Sequence, residues 1–122
     1  RPEQSLKAIV VSLRGGGGEG KRYAMAIVPG NRRVDMRSLK KELGAQKGSF
    51  VDAQTLNDLT GCVMGSVPPF VFNDDLPLIA DEDIRDNEEV VFNAGRLDRS
   101  IFMSLDDYIA LAKPRFAKIA QA

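Results

Sequence analysis

The sequence contains no histidine, no tryptophan and only one cysteine, Cys62. The lack of histidine excludes serine–histidine and cysteine–histidine nucleophilic pairs, and it removes the commonest general base at neutral pH. A single cysteine permits neither an internal disulfide nor a multi-cysteine zinc site. Because no histidine or other evident base is there to activate it, the Cys62 thiol is interpreted as a packed side chain and not as a nucleophile.

Long apolar runs and an excess of charge are also lacking. The 17 Lys and Arg residues balance 17 Asp and Glu residues, so the whole protein is not a general polyanion binder. No apolar stretch approaches the length of a membrane span and no charged-then-apolar leader opens the chain, which favours a cytoplasmic protein with no membrane partner. With 122 residues, 43% of them hydrophobic, we expect one domain with its own core.

The charges are unevenly distributed along the chain. Six cations crowd residues 32–47, whereas residues 74–89 hold eight acids and the single cation Arg85. The basic segment is typical of either a local nucleic-acid patch or a solvated helix face, and charge alone favours the second. The acidic segment lacks the spacing of a calcium loop. We therefore predict no metal and no cofactor.

Two β-branched, apolar segments predict a β-hairpin at the start of the chain. These are "SLKAIVVSL" (5–13) and "YAMAIVP" (23–29), and the second is apolar enough to be buried on both faces. Further strands are predicted at 69–72, 77–80, 89–95 and 100–103. The glycine-rich tip from Gly15 to Lys21 fits the phosphate-binding pattern G-x-x-x-x-G-K. Arg22 replaces the required Ser or Thr, and a strand follows where a helix is needed, so we reject a nucleotide site there.

Three helices are predicted from apolar spacing and from residues typical of helix ends. Asp52 is a candidate N-cap, Gly44 and Gly61 are candidate stops, and Ser104 opens a capping-box pattern. The predicted helices span 36–44, 53–60 and 104–113. The expected fold is a single mixed α/β (α+β) domain, with about six strands in a strongly twisted mixed sheet and with inserted helices.

The segment "GCVMGSVPPF" (61–70) carries no ionisable group apart from the Cys62 thiol, yet it has two glycines and two prolines. By itself it predicts only a helix stop and a turn. Glycine also lets the main chain come close to a ligand, and proline stiffens a loop, so such a segment suits main-chain hydrogen bonding to a substrate.

The order of several segments resembles the YbaK-type aminoacyl-tRNA deacylases, the family that includes the insertion editing domain of bacterial prolyl-tRNA synthetase and its free-standing trans-editing relatives. The resemblance covers residues 2–119. It rests on "SLKAIVV", "VPGNRRVDMRSLKKELGA", "LTGCVMGSVPPF" and "VVFNAGR", followed by the terminal amphipathic helix.

This resemblance implies hydrolysis of the ester that joins a wrong amino acid to the 3′-terminal ribose of a tRNA, with water assisted by the ribose 2′-hydroxyl. It implies that Lys7 contacts the terminal adenosine phosphate and is required for activity, and that Gly65 offers main-chain donors. The other implied substrate-binding residues lie on the same loop and on a facing turn: Ser66, Val67, Pro68, Pro69, Asn93, Ala94, Gly95 and Arg96.

The residue types are compatible with that chemistry. Preorganised main-chain N–H groups can stabilise the oxyanion of ester hydrolysis, each by roughly 3 kcal/mol in known cases. Strand alternation puts Lys7 on the face of Ile9 and Val11, and an ammonium suits a phosphate. From the residues alone, however, Lys7 is most simply a solvated edge lysine.

Four departures from the family pattern leave substrate and turnover open. Ala8 follows the lysine where a small hydroxyl residue is usual, Ser66 replaces a common glycine, Pro68 replaces serine, and "RLDR" (96–99) lacks a glycine. These departures support an alternative, a non-catalytic tRNA-binding or regulatory module. A third hypothesis is a small-molecule binding domain unrelated to tRNA.

The resemblance also implies partners and boundaries. The 3′ acceptor end of a mischarged tRNA is the expected partner, an aminoacyl-tRNA synthetase is a second candidate, and a monomer is expected. Family members carry a helix and a strand before the point that corresponds to Arg1. We expect residues 1–122 to form one editing domain that lacks those two elements.

Overall fold

The computed structural model describes residues 4–16, 20–70 and 76–121. In chain order the elements are β1 (Leu6–Arg14), β2 (Arg22–Pro29), α1 (Met36–Leu43), β3 (Lys47–Phe50), α2 (Ala53–Thr60), β4 (Leu78–Asp81), a 3-10 turn (Glu82–Asp86), β5 (Glu89–Asn93), β6 (Ser100–Ser104), α3 (Leu105–Ala112) and β7 (Arg115–Ala117). No helix in these ranges combines the length and the apolar character needed to cross a bilayer.

A five-stranded mixed sheet forms the centre of the molecule. Its strand order is β3-β1-β2-β4-β7, and β5 and β6 form a separate antiparallel pair. The predicted hairpin is confirmed, because β1 and β2 pair antiparallel from Leu6↔Pro29 to Leu13↔Arg22. Its tip at 17–19 lies outside the described residues. Strands β2, β4 and β7 run parallel to one another, so the sheet is mixed as predicted.

The sheet is covered on both faces. Alternation along β1 sends Leu6 and Val10 into one core, with residues of α2 and α3, while Val11 packs into a second core against α1. Residues 24–29 of β2 are buried throughout, as the unbroken apolar run predicts. The sheet is therefore the middle of three layers.

The helix ends follow the predicted signals. The Asp52 carboxylate accepts a hydrogen bond from the Thr55 N–H at 2.8 Å, and Ser104 Oγ accepts one from the Asp107 N–H at 3.1 Å. Gly44 and Gly61 end α1 and α2 in the left-handed conformation. All three helices lie within one residue of their predicted bounds.

Some elements differ from the sequence-based expectation. Strands β3 and β7 are additional to the predicted ones. Strand β3 has four residues, with Phe50 as its only large apolar side chain, and β7 has three residues, so both carry almost no strand signal. Of the strand predicted at 69–72, residues 69 and 70 are not in a strand, and 71 and 72 lie outside the described ranges. The acidic segment contributes a 3-10 turn at Glu82–Asp86.

A buried carboxylate, Asp81, joins the end of β4 to the C-terminal segment. Asp81 is 1% exposed and accepts hydrogen bonds from the N–H groups of Ile119 and Ala120 at 2.9 and 2.8 Å. It also accepts one from Arg32 at 3.1 Å. Three segments distant in sequence therefore meet at one side chain, and the C-terminal segment is held beside the turn after β2.

Candidate active site

A cavity of about 490 Å³ opens where β1 has no sheet neighbour on one side. In the described part of the chain, β3 pairs with Val11–Arg14 only, so the same edge of residues 6–10 is left without a ladder partner in that sheet. The main-chain N–H and C=O groups of a strand residue point to the same side, and that side alternates along the strand. Ser5 O bonds to the Gly30 N–H on the β2 side, and Val10 O bonds to the Val51 N–H on the other side. The main-chain groups of Ala8 therefore face the cavity.

Lys7 lies on the cavity wall. Its side chain is half-buried and has no ion-pair or hydrogen-bond partner within the described residues. An ammonium group without an internal partner is available to an anionic ligand. The sequence prediction placed the base of this side chain against apolar surface, and its cavity neighbours Leu6 and Ile9 agree with that placement.

Gly65 lies in the same cavity lining, on the loop that follows α2. Gly65 has φ +83°, a conformation that side-chain-bearing residues seldom adopt. The side-chain amide of Asn93, at the end of β5, donates a hydrogen bond to the Gly65 carbonyl oxygen. The Gly65 N–H makes no hydrogen bond to any described residue, so it is available as a donor to a ligand in the cavity.

The rest of the loop after α2 is held in place by buried hydrogen bonds. Ser66 is fully buried, and its hydroxyl accepts from the Val63 N–H at 3.2 Å and donates to the Val63 carbonyl at 2.8 Å. The Tyr108 hydroxyl donates to the Pro69 carbonyl at 2.8 Å, and burial raises the pKa of Tyr108. Cys62 is buried beside α2. These contacts hold the loop in one shape, which preorganises the Gly65 donor.

The structure brings only some of the predicted site residues to the cavity. Lys7, Gly65, Val67 and Asn93 line it. The remaining six lie outside the lining: Ser66, Pro68, Pro69, Ala94, Gly95 and Arg96. Ser66 and Pro69 are buried in the loop's support, and Arg96 is exposed and paired with Asp98 at 3.1 Å. Direct substrate contact by these six stays a prediction.

Sequence reasoning missed several residues of the lining. Arg33 adds a second cation, and Gln121 closes the lining from the far end of the chain. The Gln121 N–H donates to the Arg33 carbonyl at 2.8 Å, so the C-terminal segment holds this arginine's backbone at the cavity. Phe50 and Met64 supply exposed apolar surface. The cation cluster at 32–47 was a signal for Arg33, whereas nothing local indicated Gln121.

The lining side chains are two cations, one amide from each of Asn93 and Gln121, and otherwise apolar groups. Of these described side chains, none carries a carboxylate, a thiol or an imidazole. Within residues 4–16, 20–70 and 76–121, no three His, Cys, Asp or Glu side chains come together as a metal site would require. The cavity is thus suited to a ligand with an anionic part and a small, weakly polar part.

The model of the family described as "Aminoacyl-tRNA editing domain" matches residues 1–111. This chain belongs to that family. The editing domain is 34% identical over 112 residues to "Multifunctional Ser/Thr-tRNA deacylase ProXp-y" of Escherichia coli strain K12, a match that covers 91% of this chain and 66% of that protein. It is also 24% identical over 95 residues to EbsC of Enterococcus faecalis, which is named as a candidate Cys-tRNA(Pro)/Cys-tRNA(Cys) deacylase. That match covers 78% of this chain and 58% of EbsC.

The editing domain therefore spans less than two thirds of the length of each of these curated relatives, 66% of the first and 58% of the second. Among solved structures, it superposes with a TM-score of 0.83 and 24% identity on a candidate trans-editing enzyme for prolyl tRNA synthetase, over 100% of this chain and 73% of that one. The hypothetical protein APE2540 gives a TM-score of 0.83 at 21% identity, over 99% and 77% of the two chains. These superpositions show the fold, and the predicted mixed α+β domain is confirmed.

Proposed function

We propose that this editing domain hydrolyses, in trans, the ester that joins a wrong amino acid to the 3′-terminal ribose of a tRNA. The observation that carries the proposal is the presence, in one cavity, of the Lys7 ammonium, which has no partner among the described residues, and of the main chain of Gly65. The first group suits the terminal phosphate of an RNA strand and the second suits a developing oxyanion. Membership of the editing family supports an aminoacyl-tRNA as the substrate of this cavity.

In the proposed mechanism, Lys7 and Arg33 hold the terminal nucleotide by its phosphate, and the ester carbonyl oxygen lies at the Gly65 N–H. Asn93 keeps that N–H aimed by bonding the Gly65 carbonyl. A donor placed for the oxyanion contributes roughly 3 kcal/mol to transition-state stabilisation. The rigidity of the loop means that little reorganisation is needed during the reaction.

The base for the reaction comes from the substrate, because none of the described lining side chains carries a carboxylate, thiol or imidazole. The ribose 2′-hydroxyl orients and polarises a water molecule, whose oxygen adds to the carbonyl carbon. The bond between that carbon and the ribose oxygen then breaks, and the proton from water goes to the departing ribose oxygen. The products are a free amino acid and a tRNA with a free terminal hydroxyl.

Serine and threonine are the amino acids to test first, because the E. coli relative is named a Ser/Thr-tRNA deacylase. The cavity wall of Ala8, Leu56 and Val67 suits a small side chain. One methylene group changes discrimination by about 1–3 kcal/mol, so related small amino acids are separated by modest factors. We further propose a monomer that acts in the cytoplasm and takes tRNA as its partner, with a synthetase as a second partner.

The test is a deacylation panel with tRNAs that carry Ser, Thr, Cys or Ala. We expect release of at least one amino acid, and we expect Lys7→Ala to lower kcat/KM by about a hundredfold or more because the phosphate contact that positions the ester is lost. Lys118→Ala, which removes an exposed lysine outside the cavity lining, is the matched control and should retain activity.

No release above buffer from any of the four tRNAs would overturn the proposal. Salt-sensitive tRNA binding that weakens in Lys7→Ala, without any release, would instead identify the non-catalytic binding module. Size-exclusion chromatography checks the proposed monomer.

A further inference from the structure

A second concavity, of about 540 Å³, lies at the far end of β1 from Lys7. Among the residues that the structure describes, its lining includes Arg14, Lys21, Lys40 and Lys47 and no acidic residue. The other lining residues are polar or glycine: Ser12, Gln46, Gly48 and Ser49. We refer to these eight residues as the basic groove. In contrast to the cavity lining, none of these eight residues has an apolar side chain. The basic groove is therefore suited to an anion and not to an amino-acid side chain.

Two cations of the basic groove oppose each other in the sheet. Arg14 and Lys47 are direct cross-strand partners in the β1–β3 ladder. Like charges in that position destabilise a sheet. Both side chains are exposed, and neither makes an ion pair with any residue that the structure describes. An anion bound between them would turn this repulsion into attraction.

Helix α1 contributes a third cation through a close approach to β3. A Cβ atom on Gly48 would lie 3.2 Å from Lys40 Cγ and 2.8 Å from Met36 Sδ. The lack of a side chain at Gly48 therefore lets α1 pack directly on the face of β3 that is opposite to Lys47, and Lys40 joins the groove lining from that face. Lys21 lies near Asp52, whose pKa is lowered mainly by the Thr55 N–H and to a smaller extent by Lys21. The experiment below therefore leaves Lys21 unchanged.

The basic groove continues from the cavity along β1. Leu6, Ala8 and Val10 line the cavity, and Ser12 and Arg14 line the groove. These positions alternate on one strand and so share a face of the sheet. A rise of about 3.3 Å per residue puts Arg14 roughly 13 Å beyond Val10. A chain-like ligand whose end occupies the cavity can therefore extend into the groove, whereas a single nucleotide cannot fill both.

We propose that the basic groove binds the phosphodiester backbone of the tRNA acceptor strand, a few nucleotides before the 3′ end that enters the cavity. The identity of the RNA rests on the proposed function, whereas the preference for a polyanion rests on the groove itself. Phosphate contacts of this kind position an RNA without reading its sequence. The groove thus supplies affinity for the whole tRNA, and the cavity supplies chemistry at its end.

The first experiment compares two triple variants with equal loss of charge. Arg14→Gln/Lys40→Gln/Lys47→Gln removes three groove cations. Its control is Arg37→Gln/Lys41→Gln/Lys118→Gln, which removes three exposed cations that do not line the groove. Binding of fluorescein-labelled, uncharged tRNA is followed by anisotropy between about 50 and 200 mM KCl.

We expect the groove variant to raise Kd about tenfold or more and to reduce the salt slope by roughly two to three, since each phosphate contact contributes about one. The control should change Kd by less than about threefold. Equal effects in the two variants would show diffuse attraction and would overturn the proposal, as would an unchanged slope. Urea denaturation checks folding, and the groove variant should be at least as stable as the unmodified protein because the Arg14–Lys47 repulsion is gone.

The second experiment separates the groove from the cavity by substrate length. On whole misacylated tRNA, the groove variant should raise KM and leave kcat unchanged. On the aminoacyl ester of adenosine 5′-monophosphate, which ends before the groove, it should match the unmodified protein. Lys7→Ala should lose activity on both. Equal loss on both substrates by the groove variant would contradict the proposal. If neither substrate is hydrolysed by any protein, the proposed function fails, and the anisotropy measurement still decides whether the groove binds RNA.

Discussion

A single buried hydroxyl, that of Tyr108, connects the last helix to the loop that carries Gly65. It donates to the Pro69 carbonyl at 2.8 Å in a place that water does not reach, because Tyr108 is fully buried. The Tyr108 ring also packs edge-on against Phe70 at 5.5 Å. At the scale of one residue, the loop is therefore anchored by a polar contact that an apolar substitution of the same shape would remove.

Tyr108→Phe should lower the free energy of unfolding by about 1–3 kcal/mol, because the buried Pro69 carbonyl is left without a partner. The measurement is the urea midpoint at neutral pH. Tyr23→Phe is the matched control, since the half-buried Tyr23 hydroxyl has no hydrogen-bond partner within the described residues, and a change below about 0.5 kcal/mol is expected there. Equal midpoints for the two variants would show that the Pro69 contact contributes nothing.

Prediction from sequence succeeded at single residues where the signal is local. Asp52 and Gly61 were predicted to begin and end α2, and both do, because a cap depends only on the first or last turn of its helix. Lys7 and Gly65 were expected through the family resemblance, and both line the cavity. Gln121 could not be expected, because its place depends on a hydrogen bond to the distant residue Arg33.

At the scale of the element, two of the three described helices, α1 and α2, depend on carboxylates at their N-termini. Asp35 caps α1 and Asp52 caps α2, each by accepting a main-chain N–H. Those hydrogen bonds, to Ser38 and Thr55 respectively, are the main reason why the pKa of each carboxyl lies below its ordinary value of 3.8. Since the folded pKa is the lower one, the caps stabilise the fold above about pH 4, and this contribution is lost as the pH falls through the folded pKa.

Asp35→Asn/Asp52→Asn should therefore make stability less sensitive to acid. Asparagine caps a helix about as well as aspartate, so the urea midpoint at pH 7 should stay close to that of the unmodified protein. The fall in midpoint between pH 7 and pH 3 should be smaller in the variant, because two carboxyls no longer have to be protonated. A fall as large as that of the unmodified protein would assign its acid sensitivity to other groups.

Strand β3 was missed by prediction from the sequence because the strand depends on a contact with β1. Its sequence, "KGSF", has neither alternation nor β-branched residues, and the strand forms because Val11–Arg14 of β1 offers an edge to pair with. Tertiary pairing, and not local preference, makes it a strand. The basic groove was not predicted for the same reason, since half of its lining residues are uncharged polar residues or glycine that are brought together by the pairing of β1 with β3.

At the scale of the whole molecule, the Asp81 carboxylate connects the sheet, the turn after β2 and the C-terminal segment. Arg32, whose side chain is 24% exposed, forms ion pairs with both Asp81 and Asp83. The Asp81 side chain is 1% exposed and the Asp83 side chain is 53% exposed. The two carboxylates therefore share a partner but differ in burial. Removal of the Asp81 carboxylate also takes the acceptor from three main-chain N–H groups, those of Asp83, Ile119 and Ala120.

Asp81→Ala should lower the free energy of unfolding by about 3 kcal/mol or more, because it breaks a buried pair and leaves buried donors unsatisfied. Asp83→Ala, its matched control, should lower it by less than about 1 kcal/mol, as is usual for an exposed pair. Both values come from urea denaturation at neutral pH. Similar values for the two variants would show that the buried contacts of Asp81 stabilise the fold no more than the exposed contact of Asp83 does.

The unpaired edge of β1 has a consequence for self-association. An open strand edge offers main-chain groups to any extended segment of another chain, and proteins usually shield such edges. Here the Ser5–Val91 bridge closes one end of the opening and the hydrogen bond from Val51 to Val10 closes the other. A ligand end can enter the gap around Ala8, but a strand long enough to pair cannot lie along it. The cavity thus keeps main-chain groups available to a small ligand while denying them to a second copy of the protein.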